Sequence, residues 1–214
     1  MDPKEDLTIR LNHIILSQGF RQLSMVDLAK QAGVSRAKLY IYFKNKDEIV
    51  AAVVGRRLQF LQKYPVPTQA TATTLVPTIL NALLLMGSTT TRFERELLAV
   101  YPQQYRTFMH AYETYHRQLV DFYQDAQAHQ LLVADLSAEY LLFQSQVSVR
   151  GILQGVQTGQ LTLDQGERYL REGFTFQLRA LLVDSQLAVT PETRAFGRVI
   201  IQEYYDTYAR TQVK

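Results

Sequence analysis

Arg36, Lys38, Tyr40 and Tyr42 place two cations and two phenols on one short predicted helix, residues 36–42. Leu39 and Phe43, four residues apart, form the opposite, apolar side of that helix. None of these outward groups makes a nucleophile–base pair. A guanidinium makes bidentate pairs with guanine, and ammonium and hydroxyl groups hold phosphates, so a helix dressed this way suits the DNA major groove. Arg36 and Lys38, with Ala37 between them, are therefore candidate base-reading positions, and Ser35, Tyr40 and Tyr42 candidate phosphate holders. A solvated charged face on a small helical hairpin is the plainer alternative, and the flanking sequence has to decide.

The flanks supply a frame. Ser24 is a suitable N-cap for a helix over residues 25–32, with Asp27 completing a capping box three residues on. The start of that helix, Ser24 and Met25, offers backbone N–H groups to a phosphate. Leu28, Ala29 and Ala32 share one face, and Gly33 can take the positive φ that ends the helix. Upstream, Leu7, Leu11, Ile14 and Ile15 make a one-sided stripe on a helix over residues 7–18, closed by Gly19 and Phe20. Downstream, Asn45 caps a helix over residues 46–64 with Glu48 as its box partner, and Pro65 and Pro67 stop it. Lys46 in its first turn opposes the helix dipole, which makes sense beside a phosphate.

Charge is divided along the chain. Residues 1–64 hold 11 Lys and Arg against 6 Asp and Glu, whereas residues 65–214 hold 12 against 14. Cations gathered on the N-terminal segment fit a polyanion-binding module whose affinity falls steeply with salt. The chain has no cysteine, which excludes disulfides, thiolate metal sites and a cysteine nucleophile. The longest apolar run, around residues 79–86, is too short to span a bilayer, and the first residues are unlike a signal peptide. A cytoplasmic protein without membrane contact or cofactor is expected.

Taken together, Gly19-Phe20, Asp27-Leu28-Ala29, Ala32-Gly33-Val34-Ser35, residues 39–43, and Lys46 with Glu48 keep a fixed mutual spacing. Over residues 5–60 this pattern resembles the DNA-binding domain of the TetR family of bacterial regulators. The resemblance implies an all-α protein. It would have an N-terminal three-helix helix-turn-helix domain, residues 1–50, a connector helix over 46–64, and a C-terminal helical ligand-binding and dimerisation domain, residues 68–214. It also implies a homodimer on a near-palindromic double-stranded operator, a small-molecule effector, and a phosphate contact for Lys46.

The second part is read from its periodicity. Helices are expected from residue 74 to 86, from a Thr91–Glu94 capping box to 100, over 103–129, over 137–157, from a Thr162–Gln165 box to 187, and over 191–212. The 103–129 helix carries a wide aromatic stripe, which is either plain core or a pocket wall for an apolar or aromatic molecule. The pocket reading takes Phe108, Met109, Tyr112, Tyr115 and His116 from it, with Met86, Phe143, Val147 and Arg150 from neighbouring helices. Arg150, alone among apolar residues, is expected to pair with a carboxylate of a neighbouring helix rather than with a ligand. Gly151, Gly155, Tyr169, Leu170, Phe174, Leu178 and Leu181 are the expected dimer seam, a four-helix bundle in the resemblance. The last helix covers either the seam or the pocket mouth. The reading is a sequence-specific transcriptional regulator, a repressor released by its effector. A ligand-independent regulator or activator is the alternative; a helical enzyme with a docking domain would leave the basic helix unexplained.

Overall fold

A computed structural model describes residues 2–184 and 190–209, apart from the side chain of Glu192. Ten helices are formed among the described residues: α1 Pro3–Gln18, α2 Met25–Gln31, α3 Arg36–Tyr42, α4 Lys46–Lys63, α5 Leu75–Met86, α6 Thr91–Val100, α7 Pro102–Ala128, α8 Ala138–Gln157, α9 Leu163–Leu181 and α10 Pro191–Tyr208. None of them is long and apolar enough to cross a membrane. The expected ends of the ninth and tenth helices, residues 185–187 and 210–212, lie outside the described residues.

Helix starts follow their caps. Ser24 and Asp27 form both halves of the capping box on α2, and Thr162 and Gln165 do the same on α9. Four helix ends differ in detail from expectation. α1 begins at Pro3 rather than residue 7, because Asp2 accepts from the Lys4 N–H and proline is tolerated in a first turn. On α4, Asn45 accepts from the Glu48 N–H, but the Glu48 carboxylate reaches back to the Lys44 N–H at 2.9 Å. On α6 the cap is Thr90, not Thr91, and Glu94 is drawn away to Thr89 and Arg150. α9 stops at Leu181, whose carbonyl accepts from the Val133 N–H.

Two large apolar cores and a small third one, Val156 with Tyr204 and Tyr208, are formed among the described residues, and the large two do not part where the chain does. The first takes Leu7, Leu11 and Ile15 of α1, Leu28 of α2, Leu39 and Phe43 around α3, and Ile49 and Val53 of α4. Phe93 and Leu97 of α6 and Phe108 of α7 complete it. Residues 1–50 thus share their core with helices that come after the Pro65–Pro67 break. The second core joins α5, α7, α8 and the end of α9 through Ile79, Met86, Leu119, Phe122, Leu142 and Leu178. α10 returns to α1, where Glu203 accepts from His13 at 3.0 Å and from Arg56 of α4 at 3.3 Å.

Candidate nucleic-acid interface and adjoining cavity

α3 stands on its apolar side. Leu39 and Phe43 are buried in the first core, while Arg36, Ala37, Lys38 and Tyr40 face outward. The Arg36 guanidinium lies over the Tyr40 ring, 5.4 Å from its centre, so the two share one orientation. Ser35 caps the helix, its hydroxyl oxygen accepting from the Lys38 N–H at 3.1 Å. Ile41 is 75% exposed and Lys44 is exposed beside it. Both escaped the sequence reading, though Ile41 sits two residues from Leu39, about 200° around the helix and on the outward side. Tyr42 is half-buried against the first core, so it offers the outward face less than Tyr40 does.

Ser24, at the surface, and Lys46, half-buried, are both engaged by groups of the protein itself. The Ser24 hydroxyl donates to the Asp27 carboxylate at 2.6 Å, and its N–H donates to the same oxygen. These bonds hold the Asp27 carboxyl below the usual carboxylate range. The Lys46 ammonium donates to the carbonyls of Phe20, Arg21 and Leu23 at 3.1, 3.2 and 3.1 Å. An ammonium has three protons, and all three are used. Its place in the first turn of α4 is therefore explained by the α1–α2 turn.

That turn is gripped from both sides. Glu96 of α6 accepts from the Phe20 and Arg21 N–H groups at 2.7 and 2.9 Å. Gly19 adopts φ +75°, and a Cβ there would meet the Glu96 carboxylate at 2.4 Å. The last carbonyls of α1, orphaned as at any helix end, find donors in the large part: Thr90 on Leu16 at 3.0 Å, Gln157 on Ser17 at 3.1 Å and Arg92 on Gln18 at 2.9 Å. The Tyr101 hydroxyl donates to Asp47 of α4, and burial first, then that carboxylate, pushes the phenol up to about 12. The end of α1, the turn before α2 and the start of α4 are thus held by side chains of α6, its two flanking residues Thr90 and Tyr101, and α8.

A cavity of about 790 Å³ opens between α1, α4, α5, α8, α9 and α10. Leu80, Leu83, Val149, Ile152, Phe174 and Phe196 are among its apolar walls, and α4 contributes Arg56, Arg57, Phe60 and Lys63. None of the nine expected pocket residues lines it. Phe108 belongs to the first core, with Met109 and Tyr112 against it. Tyr115 and Met86 are buried in the second core, and the Tyr115 hydroxyl donates to the Tyr64 carbonyl at 2.8 Å. His116 is half-buried beside them. Phe143 and Val147 face outward, 60% and 54% exposed. Arg150 pairs with Glu94 at 2.9 Å, the carboxylate partner expected of it. The aromatic stripe of α7 fills cores because α4, α6 and α8 pack against it.

The expected seam divides as well. Tyr169, Leu170 and Phe174 line the cavity. Leu178 and Leu181 are buried in the second core, and Gly155 is closed off by Leu161, whose side chain would stand 2.9 Å from an added Cβ. Gly151 alone of the seven faces outward on α8 with open space above it. α10 walls the cavity through Thr193, Phe196 and Ile200, which places it at the pocket.

Known proteins bear on this arrangement. Residues 13–53 match the family described as bacterial regulatory proteins, tetR family. Over 55 residues the chain is 41% identical to an uncharacterized HTH-type transcriptional regulator of Haemophilus influenzae, 26% of this chain and 29% of that protein. Over 51 residues it is 35% identical to the fatty acid metabolism regulator protein of Bacillus subtilis, covering 23% and 26%. The matched stretch thus spans little more than a quarter of either relative. The crystal structure of a TetR-family transcriptional regulator from Marinobacter aquaeolei VT8 superposes over 95% of this chain and 99% of its own, with a TM-score of 0.58 at 13% identity, which is a likeness of fold. Residues 13–53 thus carry the helix-turn-helix segment of the tetR family of bacterial regulatory proteins, and the chain as a whole shares the fold of a TetR-family regulator.

Proposed function

We propose that the protein is a ligand-responsive transcriptional repressor that binds a near-palindromic operator as a homodimer. The observation that carries the reading is the outward face of α3, Arg36, Lys38, Tyr40 and Ile41, held rigidly over Leu39 and Phe43. Arg36 and Lys38 take base edges, with Ala37 and Ile41 against thymine methyls, and Ser35, Tyr40 and Lys44 hold phosphates. Two such helices read half-sites roughly 34–36 Å apart, or somewhat wider.

Dimerisation is assigned to the outward faces of α8 and α9. Tyr140, Phe143, Val147 and Gly151 follow one another at three- and four-residue spacing on α8, and Phe176 and Val183 are exposed on and just after α9. An apolar stripe of this kind on a soluble domain marks an interaction surface. The effector occupies the cavity beside α4. α4 carries Arg56, Arg57 and Phe60 into the cavity wall and Lys46 onto the turn before α2, so a ligand that shifts α4 shifts the mounting of α3.

The test is duplex binding by fluorescence anisotropy across a salt series, with wild type and Lys38→Ala. Wild-type affinity should fall steeply with salt, and the variant should lose affinity for its preferred duplex. Salt-independent or absent binding refutes the reading.

A further inference from the structure

The cavity wall holds a cation without an ionic partner among the described residues. Arg57 is only 5% exposed. Its Nε donates to the Ser88 carbonyl at 3.1 Å and its Nη1 to the Val53 carbonyl at 2.8 Å, and its guanidinium lies 4.5 Å from the Phe93 ring centre. All three neighbours are uncharged. Nη2, buried as well, has no hydrogen-bond partner among the described residues. The carboxylate nearest in electrostatic effect, Glu94, is already taken by Arg150 at 2.9 Å and by the Thr89 hydroxyl at 2.6 Å. Burial lowers the Arg57 pKa to about 9, so the site is one where a positive charge is held at a cost. A buried charge without an ionic partner is expensive, and a group kept in that state has a task an apolar residue would not perform.

The surroundings point the same way. Arg57 stands in the cavity wall together with Arg56, Lys63, Arg171, Arg194 and Arg198, against the carboxylates Glu5 and Glu203 among the described lining residues. Glu203 already accepts from Arg56 and His13. The remainder of the wall is largely aliphatic and aromatic, and the volume, about 790 Å³, falls inside the roughly 300–1,000 Å³ of ordinary ligand sites. We infer that the effector is an apolar monocarboxylate, its carboxylate paired with Arg57 and its hydrocarbon body packed against Leu83, Val149, Ile152, Phe174 and Phe196.

The inference rests on the effector-cavity reading and deepens it. Pairing at Arg57 acts where it matters for the switch. Nη1 and Nε tie α4 to itself at Val53 and to the turn after α5 at Ser88, so a carboxylate that pulls the guanidinium competes with the bonds that seat α4.

The experiment compares ligands that differ only in the head group. The full-length purified chain is titrated calorimetrically with dodecanoate, 1-dodecanol and dodecylamine. Dodecanoate should bind at least about tenfold more tightly than the alcohol, the size expected of one charge-assisted hydrogen bond to a desolvated group. Arg57→Gln should remove that preference while keeping the alcohol's affinity. The wild-type comparison needs no variant, so it stands even where Arg57→Gln folds poorly. Equal affinity for acid and alcohol, tighter binding of the amine, or an unchanged preference in Arg57→Gln overturns the inference. Operator affinity is measured in parallel. Carboxylate binding that leaves DNA affinity untouched supports this site and refutes the switch. A neutral compound that fills the cavity and releases DNA while carboxylates do not bind refutes this site and leaves the switch.

Discussion

Replacing Lys46 with methionine separates two roles that the sequence leaves superimposed. As a phosphate holder, the ammonium would lower the slope of log affinity against log salt by about 0.9 when removed, with the fold unaffected. As found, it is spent on three carbonyls at 3.1–3.2 Å. The Arg21 carbonyl is exposed and water can replace the lost donor there, but those of Phe20 and Leu23 are partly buried. Leaving two such acceptors short of a charged donor costs about 2–4 kcal/mol in all. For a chain of this length that corresponds to a melting temperature lower by about 5–15 °C. The loosened turn also lets α2 and α3 tilt, so DNA affinity should fall alike for every sequence, with the salt slope unchanged. Differential scanning calorimetry and anisotropy across a salt series measure both. An unchanged melting temperature with a slope reduced by about one unit refutes the clip and restores the phosphate contact.

Gly19→Ala meets both a positive φ and the Glu96 carboxylate at 2.4 Å, and should cost about 1–3 kcal/mol of stability by chemical denaturation, with reduced DNA affinity; Gly33→Ala, at φ +69° with nothing within 4 Å, should cost less. On the proposed dimer, Phe143→Glu should give a monomer by light scattering and abolish operator binding without lowering the melting temperature of the subunit, because the side chain is 60% exposed. Glu203 has its carboxyl held below the ordinary value, first by the hydrogen bond from His13 and then by Arg56. A carboxyl depressed in the folded state stabilises fully above its unfolded value, and the contribution is lost as pH falls through the folded one. Hydrogen exchange in α10 should therefore quicken as pH drops below the usual carboxylate range, after correction for intrinsic rates, and the effect should vanish in Glu203→Gln.

Much of the DNA-facing domain was legible because local rules decide it. Ser24 with Asp27, the positive φ of Gly33 and the Leu39–Phe43 pair each depend on residues within four positions, and each is found as the spacing requires. The cavity was not legible, because the period of an apolar stripe says that a face is covered but not by what. The residues of α7 from Phe108 to Tyr123 carry the spacing of a pocket wall, yet neighbouring helices fill the space against them. Tyr169, Leu170 and Phe174 carry the spacing of a seam, yet they line the cavity, with Leu170 also packed against the cluster of Val156, Tyr204 and Tyr208. The role of Lys46 was hidden for a related reason. Its three acceptors lie more than twenty residues upstream, and only the closed α1–α2 turn brings their carbonyls together.

Two copies of α3, fixed relative to one another, are proposed to read duplex DNA. Selection of tight binders from a random duplex pool tests it most directly, using the full-length protein and its Arg36→Ala variant side by side. Wild type should enrich two inverted half-sites about one helical turn apart or somewhat wider, and the variant should lose preference at one position in each half. A pool that stays random, or a variant that recovers the same site with the same base preferences, would contradict the account.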